Sequence, residues 1–268
     1  MDDLNVDKKH KQKAFQAYNT SANIYRDSMT KGVFLLPNLL TSLSLFSGFY
    51  SIINSINGKF YIAGWLIVVS IFLDGIDGKV ARLTNSNSKF GIEYDSLSDL
   101  IAFGVAPSIL LFKWQLFTYG RLGWASIFVY LLGAALRLAR FNIQVNSVEY
   151  NKFSGLPSPA AAGMVVSSIF FMTGLSINFA VISKIMIALM IITGLLMISN
   201  IRYFAMKDLS VFKRRPFEVL ALLSLLIIII VVKPIIAFFV IFFLYTFVSP
   251  LLYFYIDNVK IKSDKKVG

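Results

Sequence analysis

The stretch LDGIDGKVARLTNSNSKFGIEYDSLSDL, residues 73–100, places Asp74, Asp77, Asp95 and Asp99 at the edges of two apolar segments. An aspartate at the centre of a membrane helix costs about 2.5 to 3.5 kcal/mol, and one near a helix end costs less. Ionisable side chains in such segments usually face a polar cavity. The stretch therefore predicts two membrane helices, joined by a short polar loop, with a carboxylate-lined cavity between them.

The rest of the chain has the composition of a polytopic membrane protein. Its 268 residues are 57% hydrophobic and only 15% charged, whereas soluble domains carry about 25% charged residues. Apolar windows longer than about 18 residues indicate membrane spans. We expect an all-α membrane bundle with eight spans, roughly at 33–55, 60–82, 94–113, 122–143, 158–177, 180–200, 216–232 and 234–256.

Basic residues predict the orientation of these spans. With both termini on one side, that side receives 21 of the 26 lysines and arginines, and the other receives Lys59, Lys113, Arg121, Lys184 and Lys233. Because cytoplasmic loops are enriched in lysine and arginine, we expect both termini, and the loop after Arg82, in the cytoplasm. The net charge of +12 then reflects orientation and contact with anionic lipids, and it does not indicate a nucleic-acid partner.

The polar N-terminal tail, residues 1–31, contains an amphipathic segment. Apolar residues recur at helical spacing between positions 14 and 29. Two interpretations stay open: a helix lying in the membrane interface, or a helix packed on the protein's own cytoplasmic surface. The tail also holds the single histidine, His10, and the chain has no cysteine. Disulfides and thiol chemistry are therefore excluded, and a zinc site is not expected.

The four aspartates have the spacing of a shared site. At 3.6 residues per turn, Asp74 and Asp77 lie about 60° apart around one helix, and Asp95 and Asp99 about 40° apart around the next. Four converging carboxylates repel unless a cation neutralises them. All-oxygen ligands favour Mg²⁺ or Mn²⁺, and four carboxylates suit two ions. The alternative is a set of salt bridges with Lys79 and Arg82, which supply fewer charges than the acids.

Two glycines lie on the same helix as Asp74 and Asp77. Each of Gly75 and Gly78 costs about 1 kcal/mol relative to alanine inside a helix. Close approach of a bulky ligand such as a diphosphate explains them, with Arg82 one turn further on to reach phosphate oxygens. Tight packing between membrane helices explains them equally well.

At these residues the sequence resembles the CDP-alcohol phosphotransferases, whose motif is D-x2-D-G-x2-A-R-x8-G-x3-D-x3-D. Every fixed position matches: Asp74, Asp77, Gly78, Ala81, Arg82, Gly91, Asp95 and Asp99. The stretches LLPNLLTSLSLFSGF, GAALRLARFN, FSGLPSPAAAGM and ISNIRY, in residues 35–49, 133–142, 153–164 and 198–203, resemble a branch of that family. That branch is the bacterial membrane-embedded phosphatidylserine synthases.

The resemblance implies transfer of the phosphatidyl group from CDP-diacylglycerol to L-serine in a bacterial cytoplasmic membrane. It also implies a six-helix catalytic core and a homodimer. The core would occupy residues 32–200, two additional helices 201–256, and a basic tail 257–268. By position, Asp74, Asp77 and Asp95 resemble metal ligands, and Asp99 resembles a ligand of the second metal and the general base. Gly78, Arg82 and Gly91 resemble the part that holds the CMP and diphosphate.

Serine carries a carboxylate, so a selective pocket needs a cation. Arg137 and Arg140 lie near the predicted cytoplasmic end of the fourth span, and either could hold the carboxylate with both arms of its guanidinium. Orientation anchors and clamps on the substrate phosphates are the alternatives. Asn38, after Pro37, either faces the nucleotide or caps the first helix.

Two other functions remain open at the level of sequence. One keeps the chemistry and changes the acceptor alcohol to glycerol-3-phosphate, inositol phosphate or choline. The other is a cation transporter, in which acids line an ion path. Transporter sites tend to lie at the membrane midplane between inverted repeats, whereas these acids lie near one face and no repeat is evident.

Overall fold

The computed structural model describes residues 36–84, 88–145, 155–175, 178–201, 203, 224, 231–248 and 250–251. All the regular elements in these ranges are helical, which confirms the predicted helical membrane bundle. The amphipathic segment 14–29, the basic tail 257–268 and most of the predicted seventh span lie outside the described residues. The helices are α1 (Leu36–Ile56), α2 (Phe60–Leu83), α3 (Lys89–Trp114), α4 (Gly120–Val145), α5 (Ser158–Thr173), α6 (Phe179–Ile198) and α7 (Pro234–Val248).

Five of the described helices are long and apolar enough to cross a membrane, namely α1, α2, α3, α4 with its preceding turn, and α6. Helices α5 and α7 are shorter. The predicted span 158–177 is a 16-residue helix in the structure, of which eleven residues are buried. A helix that is apolar on all sides belongs in the middle of a bundle, and α5 contacts α2, α6 and α7.

Helix α3 begins at Lys89, five residues before its predicted span. The Ser88 hydroxyl accepts a hydrogen bond from the Gly91 amide at 2.9 Å, and such a cap stabilises a helix start. Asp95 and Asp99 therefore lie two and three turns inside the helix. Directly after Asp99, residues Leu100–Val105 form a π-helical segment, a distortion that is frequent at functional sites.

Small and hydroxylated residues hold the first helices together. A side chain at Gly48 on α1 would lie 2.7 Å from Cα of Ala102 on α3, so only glycine allows this approach. Between α1 and α2, the Ser44 and Ser70 hydroxyls are 2.6 Å apart, and Ser51 donates to the Ala63 carbonyl at 2.8 Å. Close backbones and interhelical hydrogen bonds are typical of packing in membranes.

Helix α7 packs against α5. The rings of Phe171 and Phe239 stack at 4.4 Å, and the Phe242 ring occupies the space beside Gly163. Residues Leu244–Val248 at the end of α7 form a second π-helical segment. The last turn of α7 contacts Tyr203, so it lies at the same end of the bundle as the segment that follows α6.

Candidate active site

The structure brings three of the four predicted aspartates together. One carboxylate oxygen each from Asp74 on α2 and from Asp95 and Asp99 on α3 lie within 4.8 Å of one another, and all three residues are partly buried. The carboxyl groups of Asp74 and Asp99 also interact electrostatically with each other. Two carboxyl groups at this distance repel unless a proton or a cation lies between them.

The fourth aspartate, Asp77, lies beside this group and not within it. Its Oδ2 accepts a hydrogen bond from the Thr41 hydroxyl of α1 at 3.0 Å. The residue is buried, and it interacts electrostatically with Asp74 and Asp95. Three helices therefore position the carboxylates, and Thr41 is a contact that the motif did not indicate. Its position one turn after Asn38 was the available signal.

The salt-bridge interpretation of the aspartates is not supported. Within the part of the chain that the structure describes, no salt bridge joins these carboxylates to Lys79 or Arg82. The Arg82 Nε instead donates to the Gly78 carbonyl at 2.8 Å, and Arg82 is exposed. Lys79 and Arg82 therefore do not neutralise the aspartates, and a small cation fits their donor set.

The two glycines on α2 face open space. A side chain atom added at Gly75 or at Gly78 would meet no protein atom within 4 Å. Among the residues that the structure describes, no helix packs tightly on either glycine, in contrast to Gly48. Room for a ligand beside the carboxylates remains as the physical reason for small residues at these positions.

Asn38 and Gly91 are neighbours across α1 and α3. A side chain at Gly91 would lie 3.4 Å from the Asn38 side-chain oxygen and 3.1 Å from the Ser88 hydroxyl. The nearby Tyr94 hydroxyl is 2.8 Å from the hydroxyl of Ser42. Polar side chains therefore surround the start of α3, one turn from Asp95.

The two arginines of α4 have different surroundings. Arg137 donates from Nη1 to the Ser158 hydroxyl at 3.0 Å and interacts electrostatically with Asp99 and Asp74. Arg140 donates to the Asn200 side chain at 3.1 Å in an exposed position. The structure therefore brings Arg137 to the carboxylate cluster and leaves Arg140 at the rim.

Sequence reasoning also missed two partners of Arg137. Ser158 begins α5 within the stretch FSGLPSPAAAGM. Its hydrogen bond from Arg137 becomes evident only from the three-dimensional structure. Tyr245 of α7 interacts electrostatically with Arg137, although 108 positions separate the two in the sequence. No local pattern signals a contact of that kind.

Apolar helices bring three carboxylates together in this bundle, which defines a membrane protein with a site able to hold a divalent cation. The model of the CDP-alcohol phosphatidyltransferase family matches residues 34–196, so the chain belongs to that family. The matched region contains the aspartates, the glycines and both α4 arginines, and it ends before α7.

Curated relatives match much of the same region. A CDP-diacylglycerol–serine O-phosphatidyltransferase of Helicobacter pylori is 44% identical over 171 residues, which cover 64% of this chain and 72% of the relative. An archaetidylserine synthase of Methanothermobacter thermautotrophicus is 40% identical over 171 residues, covering 63% and 69%. A CDP-diacylglycerol–serine O-phosphatidyltransferase of Methanocaldococcus jannaschii is 38% identical over 172 residues, covering 64% and 74%.

Proposed function

We propose that this protein transfers the phosphatidyl group of CDP-diacylglycerol to L-serine, releasing CMP and phosphatidylserine. The observation that carries the proposal is the convergence of Asp74, Asp95 and Asp99 within 4.8 Å at one end of the bundle. The three relatives described above support serine as the acceptor, because each is named for transfer to serine or synthesis of a serine lipid. Family membership favours group transfer over the cation-transport alternative.

The carboxylate cluster fits a divalent metal. Its donors are all oxygen, and the three closest atoms could share one ion of the size of Mg²⁺ or Mn²⁺. Asp77 lies beside them with one oxygen held by Thr41, so the four residues could hold two ions. Bound there, the metal would supply positive charge against the diphosphate of the substrate.

The remaining roles follow from position. The open space beside Gly75 and Gly78 would receive the diphosphate, with Arg82 at its edge. Asn38 and Gly91, which are close together across α1 and α3, would contact the nucleotide. Arg137 would hold the serine carboxylate, since it lies closer to the cluster than Arg140 does. Arg140 remains the second candidate for that role.

In the reaction itself, the serine hydroxyl oxygen forms a bond to the phosphorus of the phosphatidyl group. The bond between that phosphorus and the bridging oxygen breaks, and CMP leaves with the electron pair. Asp99 would accept the hydroxyl proton, because a positioned base raises the reactivity of a weak nucleophile. A site near one end of the spans admits serine from water and the acyl chains from the membrane lipid.

An acceptor panel tests this function. Purified protein receives CDP-diacylglycerol, Mg²⁺ or Mn²⁺, and one of L-serine, glycerol-3-phosphate, inositol phosphate or choline, and the released CMP is measured. We expect serine alone to raise CMP release above the level without acceptor. A larger response to another alcohol, or none to serine, contradicts the proposal.

Topology and assembly belong to the same proposal. We expect both termini in the cytoplasm, so reporter fusions at Gly268 and in the segment 114–121 should report opposite sides. Same-side results would overturn the predicted span count. We also expect a homodimer, as the family resemblance implies, and light scattering of the purified protein in detergent measures the number of chains.

A further inference from the structure

The end of α7 packs against the segment that follows α6. The Tyr203 hydroxyl donates to the Thr246 carbonyl at 3.2 Å, and the rings of Tyr203 and Tyr245 are 5.8 Å apart. Ala237, two turns earlier, is buried against the bundle. Helix α7 lies outside the region that the family model matches, so its contact with the site is a feature of this chain beyond the shared core.

In the Arg137 guanidinium, one nitrogen donates a hydrogen bond and another has no acceptor among the described residues. Its Nη1 donates to Ser158, but its Nε is buried and, within the part of the chain that the structure describes, has no hydrogen-bond partner. A buried donor of a charged group without a partner is costly. Such a donor is expected to meet an acceptor atom in some functional state.

The groups around Arg137 have complementary chemistry. Asp99 and Asp74 interact with it electrostatically from the metal side of the site, and Tyr245 does so from α7. Tyr245 lies at the same end of α5 as Ser158, because its ring packs on Tyr203 and the segment before Tyr203 hydrogen bonds to the residues before α5. A guanidinium and a phenol hydroxyl both donate, and a carboxylate accepts two or more hydrogen bonds.

We propose that Tyr245 is a specificity-determining residue, whose hydroxyl and the Arg137 guanidinium together bind the carboxylate of an amino-acid acceptor. The inference rests on the proposed function, and it names the residue by which α7 contributes to that function. With the carboxylate held there, the acceptor lies beside the carboxylate cluster, because Arg137 also interacts electrostatically with Asp99 and Asp74. An amino alcohol without a carboxylate makes neither contact.

The variant Tyr245→Phe tests the proposal, with Tyr119→Phe as a matched control. Tyr119 donates to the Ala180 carbonyl at 3.1 Å at the opposite end of α3. CMP release is measured against L-serine, against ethanolamine, which is serine without its carboxylate, and against CDP-diacylglycerol. For Tyr245→Phe we expect KM for serine to rise about tenfold or more, the factor for a lost hydrogen bond to a charged group.

Selectivity separates recognition from a general structural effect. In Tyr245→Phe, kcat/KM for serine should fall relative to kcat/KM for ethanolamine, while KM for CDP-diacylglycerol stays near the wild-type value. Tyr119→Phe should leave all three unchanged. An unchanged ratio of serine to ethanolamine, or an equal rise in KM for CDP-diacylglycerol, overturns the role of Tyr245. Tyr245→Leu, which also lacks the hydroxyl, repeats the test if phenylalanine disturbs folding.

The proposed function fails in a different way. Wild-type protein that releases no CMP with serine overturns the function, and the inference with it. Wild-type protein that uses serine, combined with a Tyr245→Phe variant of unchanged serine KM and selectivity, overturns the inference alone.

Discussion

The bundle holds two polar regions, and they are satisfied in different ways. Between α1 and α2, the hydroxyls of Ser44, Ser51 and Ser70 are buried and hydrogen bond to each other or to carbonyls of the facing helix. In the carboxylate cluster, Asp74, Asp95 and Asp99 face each other, and no salt bridge among the described residues neutralises them. Polar groups that satisfy each other stabilise the fold, whereas polar groups of like charge indicate a ligand.

The first and largest effect is expected within the cluster. Asp95→Asn should lower CMP release by about three orders of magnitude or more, because a metal ligand in such a site contributes several kcal/mol to the reaction. Glu93→Gln is the matched control on the same helix, since Glu93 is exposed and accepts from Asn142 outside the cluster. Equal losses in the two variants would remove the distinction between the cluster and its surroundings.

A second effect separates the base from the other carboxylates. Asp99→Asn keeps the size of the side chain and removes its basicity, so kcat should fall by about 10²- to 10⁴-fold. Binding of CDP-diacylglycerol should survive, if Asp74, Asp77 and Asp95 still hold one ion against the diphosphate. Affinity and turnover are measured on the same purified variant.

The affinity and turnover of Asp99→Asn distinguish the general-base role of Asp99 from two alternatives. Parallel losses of binding and turnover mean that Asp99 mainly holds metal. Turnover near the wild-type rate means that another group is the base, and Glu93 is then the next acid to test.

The third effect concerns the two α4 arginines. Arg137→Lys should raise KM for serine about tenfold or more and leave KM for CDP-diacylglycerol nearly unchanged, because lysine keeps the charge and loses the planar pair of donors. Arg140→Lys is the comparison, since Arg140 bonds to Asn200 at the exposed rim. If Arg140→Lys has the larger effect on serine KM, the assignment of the two residues is reversed.

The smallest effect is expected in the hydroxyl region. Ser44→Ala should lower stability by about 0.6 kcal/mol, the average for an interhelical hydrogen bond in a membrane protein, and CMP release should stay at the wild-type rate. Ser70→Ala removes the other partner of the same hydrogen bond and should behave alike. Thermal unfolding in detergent measures the first quantity, and a strong loss of activity in either variant contradicts a purely structural role.

Much of this arrangement was predictable from the sequence, because it depends on local spacing. Helical periodicity placed Asp74, Asp77, Asp95 and Asp99 on facing helices, and the motif added Gly78, Arg82 and Gly91. Helix α3 begins five residues before the predicted span, because the capping residue Ser88 starts the helix within a polar segment.

The remaining features depend on tertiary structure. No local pattern favours Arg137 over Arg140, since the two differ in their tertiary partners, Ser158 and Asn200. Nor did it distinguish Gly78, which faces open space, from Gly48, which contacts Ala102. Tyr245 reaches the site only because α7 packs along α5, a contact between segments far apart in the chain.

Direct measurement of metal binding tests the central claim, that the carboxylate cluster holds divalent ions. Electron paramagnetic resonance of Mn²⁺ with the purified protein counts bound ions without any need for turnover. We predict that wild-type protein and Ser44→Ala bind Mn²⁺ alike, and that Asp95→Asn loses most of this binding. Wild-type protein that binds no Mn²⁺, or an Asp95→Asn variant that binds as much as wild type, contradicts the account.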